Sequence, residues 1–218
     1  MKKRNVWRHV VSLVCSVALL LPTGTISTMA SESGLVTEGF ENYASQSDLD
    51  AVWISTGNSK VTFPEISTEK SRSGSKSLLL NDTETSATLQ VQSEIPNSYG
   101  IGTEFILTTY YYVDQLSGGK TNPCVGLRSK GETTAAYTYS TGQWDRLSAI
   151  RTTSTKTERI NVIFSTAKAN VAQMYIDDVT VCVLTEALAL DYIEEKLAIS
   201  GTPDLPVVLA SKASGLHE

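Results

Sequence analysis

From residue 87 onward the chain is a succession of short β-type runs separated by clusters of Gly, Ser, Asn and Asp, and this rhythm constrains its fold more than any other feature. The runs are Ala87–Gln92, Glu104–Val113, Cys124–Arg128, Thr134–Tyr139, Trp144–Arg151, Arg159–Phe164 and Met174–Val183. Each is of strand length. Alternation is cleanest where Ile160, Val162 and Phe164 oppose Arg159 and Asn161, and where Val179, Val181 and Val183 oppose Thr180 and Cys182. Ser71–Lys76, Ser117–Gly119 and Ser140–Gly142 carry the residues that turns require. Helical periodicity is absent until Ala187–Leu197, which holds strong helix formers and no turn residue before Gly201. The pattern predicts an all-β antiparallel sandwich followed by a short C-terminal helix.

The first thirty residues stand outside that pattern. Lys2, Lys3, Arg4 and Arg8 precede an apolar stretch from Val10 to Leu21, which Pro22 ends, and small residues lead to Ala30. This reads as a secretory signal peptide over residues 1–30, with an apolar stretch too short to cross a bilayer comfortably. Cys15 follows Val14 rather than the small residue that a lipoprotein site needs. The expected product is secreted and extracellular, with no membrane association after signal cleavage. Cleavage takes the chain from 18 basic against 23 acidic residues to 14 against 23, a charge of −9. No basic block remains for phosphate backbones, so nucleic acid is excluded as a partner. Histidine occurs only at His9 and His217, which removes Ser-His-Asp and Cys-His nucleophile systems and a histidine-ligated metal from the body of the chain. Cys124 and Cys182 are bridged or idle according to their separation.

Four segments in order, Glu38-Gly-Phe-Glu41, Ser73-Gly-Ser-Lys-Ser-Leu78, Thr141-Gly-Gln-Trp144 and Tyr175-Ile-Asp-Asp-Val179, resemble the carbohydrate-binding modules of the families four, nine and twenty-two type. The resemblance covers residues 35–184 and leaves 185–218 as a helix and a disordered tail. It implies a galactose-binding-like jelly roll, non-catalytic binding of a polysaccharide of the xylan or β-glucan type, and a glycoside hydrolase catalytic domain as partner in a longer form. It also implies a structural calcium ion, with Glu41 and Asp177 as side-chain ligands and main-chain oxygens from Gly39 and from Ser75 or Lys76. Calcium takes six to eight oxygens, and a Ser/Gly-rich turn beside two acids offers that chemistry. On a regular strand Asp177 and Asp178 point to opposite faces, so only one of them ligates through its side chain. Solvated strand ends are the plainer reading of the same acids.

Sugar recognition needs aromatic faces to stack on pyranose rings and planar polar groups to pair with hydroxyls. In Glu104–Val113, Phe105, Leu107, Tyr111 and Val113 share one face and Tyr110 and Tyr112 the other. With the first set in the core, Tyr110 and Tyr112 line the concave sheet. Val125 and Leu127 place Arg128 outward likewise, and Tyr137 and Tyr139 share a face of a neighbouring run. One cleft of Tyr110, Tyr112, Arg128, Tyr137 and Tyr139 is expected, with Trp53 as a platform at its edge and Asn58 and Gln92 as polar partners. Tyr111, Tyr175 and Trp144 are expected in the core. Two other functions compete. A ligand-free structural or adhesion module would turn the aromatics inward, and a polysaccharide-cleaving enzyme would use Glu104, Glu132 or Asp145, which form no recognisable catalytic set.

Overall fold

The structure, a computed structural model, describes residues 35–57, 64–85, 88–95, 99–119, 121–129, 132–153, 159–168 and 170–200. The predicted signal segment, Asn58 and the chain beyond Ser200 lie outside these residues. In chain order the elements are β1 (Val36–Glu38), α1 (Gln46–Val52), β2 (Ile54–Ser55), β3 (Glu65–Ser67), β4 (Ser77–Asp82), β5 (Gln90–Ile95) and β6 (Glu104–Ser117). They continue with β7 (Cys124–Ser129), β8 (Glu132–Tyr137), β9 (Trp144–Thr152), β10 (Ile160–Ser165), β11 (Val171–Val183) and α2 (Glu186–Ser200). The strands form two antiparallel sheets, one in the order β3-β4-β11-β6-β9 with β1 also on β11, the other β2-β5-β10-β7-β8. This is the predicted all-β sandwich. The chain divides after Thr185, so the strands belong to one compact unit and α2 to another.

The core lies between the sheets because each long strand buries one alternate set of side chains. From β6 these are Phe105, Leu107, Tyr111 and Val113; from β10, Ile160, Val162 and Phe164; from β7, Val125 and Leu127. In β11 the buried set changes parity, from Met174 and Ile176 to Val179 and Val181. A register shift between Asp177 and Thr180 produces the change, with Asp178 in the left-handed region at φ 49°. Such a β-bulge inserts one extra residue and leaves both halves of the strand facing the core.

Helix α1 departs from the expectation that helix is confined to the tail. Ser45 caps it, accepting from the Asp48 amide while the Asp48 carboxylate accepts from the Ser45 amide. This reciprocal pair satisfies two end groups of a helix too short to show periodicity. The helix seats Leu49 in the core and delivers Trp53 directly after it.

Candidate functional site

On the outer face of the five-stranded sheet the register places three rows across the strands. Ile54, Gln92, Ile163, Gly126 and Ala135 form the middle row. Glu94, Asn161, Arg128 and Thr133 lie on one side of it, and Gln90, Ser165, Cys124 and Tyr137 on the other. Gly126 and Ala135 keep the middle low: a Cβ on Gly126 would meet the Thr134 carbonyl oxygen at 2.6 Å. The result is a low-floored face, or trough, with Arg128 rooted on one side and Tyr137 on the other, the Arg128 side chain reaching across the middle row, where Ile163 is buried, to Gln90 on the Tyr137 side. Four strand residues separate Arg128 from Cys124, the cross-strand neighbour of Tyr137, a span of about 13 Å.

Arg128 is held in place. Its Nε donates to Thr133 Oγ1 at 3.0 Å and its Nη2 to Gln90 Oε1 at 3.4 Å. Gln90 in turn donates to Thr56 Oγ1 at 2.7 Å. Tyr137 is 52% exposed at the open edge of the sheet and Ile54 is 54% exposed near the other. The half-buried Cys124 thiol is pushed up to about 11 by burial, so it stays neutral at ordinary pH. No disulfide joins it to Cys182, which lies in the other sheet. The trough therefore offers one exposed ring, one oriented guanidinium and several amide and hydroxyl groups, a donor and acceptor set suited to a polyhydroxylated chain.

The remaining expected site residues are elsewhere. Trp53 is 1% exposed, stacked on Phe164 at a centroid distance of 5.1 Å, with Nε1 donating to the Tyr43 hydroxyl at 3.1 Å. It is a core residue, and the platform role is withdrawn. Tyr110 and Tyr112 do point away from the core, but on the six-stranded sheet, the opposite side of the sandwich from Arg128. Their faces are already covered. The Arg72 guanidinium lies 3.4 Å from the Tyr110 ring centroid, and Lys70 Nζ lies 4.8 Å from that of Tyr112. Trp144 stands edge-on to Tyr112 at 5.8 Å on this outer face, not in the core. Tyr175 is buried there too, its hydroxyl donating to Glu69. Tyr139 leaves the end of β8, sets its ring edge-on to Tyr111 at 5.9 Å and lies 44% exposed. Tyr111 itself is in the core, its hydroxyl bonded to Ser140 and to the amides of Tyr139 and Ser140. The single expected cleft is thus two separate faces, and only Arg128 and Tyr137 share the trough.

Of the four expected metal residues, Asp177 lies at the bulge and Gly39, Glu41 and Lys76 lie in the loops beside it. β1 pairs with the end of β11 from Val179 to Val181 and β4 with its start up to Ile176, so Asp177 and Asp178 fall in the gap between them. Into that gap come the loops after β1 and before β4. Glu41 Oε1 accepts from the Ser75 and Lys76 amides at 2.7 Å each, and Oε2 from Ser75 Oγ. Asp177 Oδ2 accepts from the Arg72 and Ser73 amides, and Oδ1 from the Asp178 amide. Asp178 pairs with Arg72 and with Ser73 Oγ. A Cβ on Gly39 would lie 4.0 Å from Asp177 Oδ1. Lys76 Nζ donates to the carbonyls of Glu41 and Tyr43.

A carboxylate has about four acceptor positions, so Glu41 and Asp177 each retain one after three donors. Carboxylate oxygens are the donor type of a hard cation, which would need the rest of its shell from main-chain oxygens and water. Among the described residues no group of three or more His, Cys, Asp or Glu side chains is placed to hold a metal. The two acids titrate in opposite directions. The Ser75 and Lys76 amides hold the Glu41 carboxyl below its ordinary value, whereas burial raises that of Asp177 against the pull of the Ser73, Arg72 and Asp178 amides.

No known family model matches the chain, and no curated protein matches it. Among solved structures it is similar to a xylan-binding family 22 carbohydrate-binding module of Paenibacillus barcinonensis, at 14% identity over 72% of this chain and 99% of that one, with a TM-score of 0.48. It is similar to a C-terminal family 22 module of Clostridium thermocellum, at 17% identity over 71% and 95%, with a TM-score of 0.49. A family 61 module in complex with β-1,4-galactotriose matches at 15% identity over 61% and 88%, with a TM-score of 0.42.

Proposed function

We propose that the sandwich is a non-catalytic module that binds a polysaccharide in the trough of its five-stranded sheet. The observation that carries this reading is the pairing, across one low-floored face, of an exposed ring at Tyr137 with a guanidinium fixed by Thr133 and Gln90. Stacking supplies apolar contact and the fixed polar groups orient the chain. An open face buries little area and each hydroxyl pair largely exchanges water bonds, so affinity is modest. The xylan or β-glucan type of the glycan follows from the four-segment resemblance in the sequence. So does the placing of the module as a secreted appendage that keeps a glycoside hydrolase domain near its substrate by raising effective concentration. We also propose calcium at the β11 bulge, held by Glu41 and Asp177 with main-chain oxygens of Gly39 and Lys76, where it would tie the loops after β1 and before β4 to the bulge.

Affinity electrophoresis of the purified chain through gels containing soluble xylan or mixed-linkage β-glucan tests the reading. Retardation is expected with at least one glycan, and Tyr137→Ala weakens it about threefold to tenfold, the worth of one stacked ring. A chain that migrates unretarded in every gel is instead a ligand-free structural module. The buried Trp53 and the covered faces of Tyr110 and Tyr112 favour that second reading. Release of new reducing ends would point to the third, an enzyme.

A further inference from the structure

The charge of the trough is specific enough to narrow its ligand. Four of the ion pairs of the described residues are Lys70 with Asp114, Arg72 with Asp178, Arg151 with Glu132 and Arg159 with Glu94. No carboxylate of the described residues lies within ion-pair distance of Arg128, whose two hydrogen bonds are to a neutral hydroxyl and a neutral amide. Those bonds use the Nε hydrogen and one on Nη2. The three remaining donors of the guanidinium have the planar fork that a carboxylate matches. On the same face Arg159 and Glu94 pair at 3.2 Å and cancel. The described part of the trough thus carries one uncompensated positive charge in a chain whose overall charge is −5. A neutral glycan can pair its hydroxyls with a guanidinium, but only an anionic one also neutralises the charge. A like-charged environment elsewhere on the surface would repel an acidic one.

We propose that the trough selects a uronate-bearing polysaccharide, with the sugar carboxylate taken by Arg128 and a ring a few sugars along the chain stacked on Tyr137. The proposal rests on the glycan reading above and deepens it. Thr133 and Gln90 orient the fork before the ligand arrives, which lowers the ordering cost of the contact. The trough floor at Gly126 and Ala135 lets an extended chain run from one side to the other.

The test compares two ligands that differ only at the carboxyl group: glucuronoxylan, and the same polymer with its uronate carboxyls reduced to primary alcohols. Affinity electrophoresis is run in each, at low and high salt, with the parent chain and with Arg128→Gln. The parent is expected to bind the acidic polymer about threefold to tenfold more tightly than the reduced one, a difference that shrinks with salt, as an exposed ion pair does. In Arg128→Gln binding to both polymers is expected to weaken, the acidic one more, so that the difference between them disappears. Equal binding of the parent to both polymers overturns the proposal and leaves the glycan reading standing. A preference that survives Arg128→Gln also overturns it. Failure to bind either polymer or neutral β-glucan overturns the glycan reading itself. The comparison of ligands needs no variant, so a folding defect in Arg128→Gln does not remove the test.

Discussion

Trp53 lies between Phe40 and Phe164, with centroid distances of 5.7 and 5.1 Å, and its indole N–H enters a chain of bonds through Tyr43 to Glu38. Truncating such a side chain removes transfer free energy and leaves a cavity that the sandwich cannot collapse, at a cost of about 3–5 kcal/mol. Trp53→Ala is therefore expected to lower the thermal midpoint strongly, read by circular dichroism. At a temperature where the variant is folded, its retardation by glycan should equal that of the parent. Selective loss of binding with an unchanged midpoint would return Trp53 to the ligand site. Tyr110 offers the complementary case: its ring face is occupied by Arg72, which is itself paired with Asp178. An aromatic residue pointing outward is not thereby open to a sugar.

At the scale of elements, strand positions and their inward faces were legible because alternation and turn chemistry are local. Phe105, Leu107, Tyr111 and Val113 are buried as the period of two requires, and Arg128 faces out as Val125 and Leu127 imply. What alternation cannot carry is which sheet a strand joins. Tyr110 and Arg128 were both outward residues, yet β6 and β7 belong to different sheets, so their outward faces are on opposite sides of the molecule. The bulge left a trace: Met174 and Ile176 cannot share a face with Val179 and Val181 unless one residue is added between them. The first strands were harder. In β4 Ser77 and the three leucines Leu78–Leu80 are all buried, which shows no alternation. Helix α1 had only its cap as a signal, and that cap can be tested. Ser45→Ala removes the hydroxyl acceptor for the Asp48 amide and should cost about 1 kcal/mol in urea unfolding with an unchanged m-value. No measurable cost would mean that Leu49 and Trp53 hold the helix without its cap.

For the molecule as a whole, the bulge in β11 is where the chain segments near both ends of the sandwich converge, and its two acids respond to pH in opposite ways. Glu41 is held below its ordinary value by the Ser75 and Lys76 amides, so its contribution to stability is present above the unfolded pKa and is lost as pH falls through the folded one. Asp177 is raised by burial, so the folded chain takes up that proton first. Its contribution is full below the unfolded pKa and is lost as pH rises through the folded one. Once ionised, the buried Asp177 has three amides to offset its desolvation. A calcium ion would reverse the sign of that effect, because it binds the ionised form of both carboxylates and competes with protons for them. The expected result is a thermal midpoint higher in calcium than in chelator at pH 7. The increment should fade on acidification while an ordinary, exposed aspartate would still be charged, because Asp177 protonates earlier. Asp177→Asn should abolish the increment and its pH dependence together. A midpoint indifferent to chelator at pH 7 would show that the amides of residues 72–76, with Lys76 on the carbonyls of Glu41 and Tyr43, close the junction without a metal.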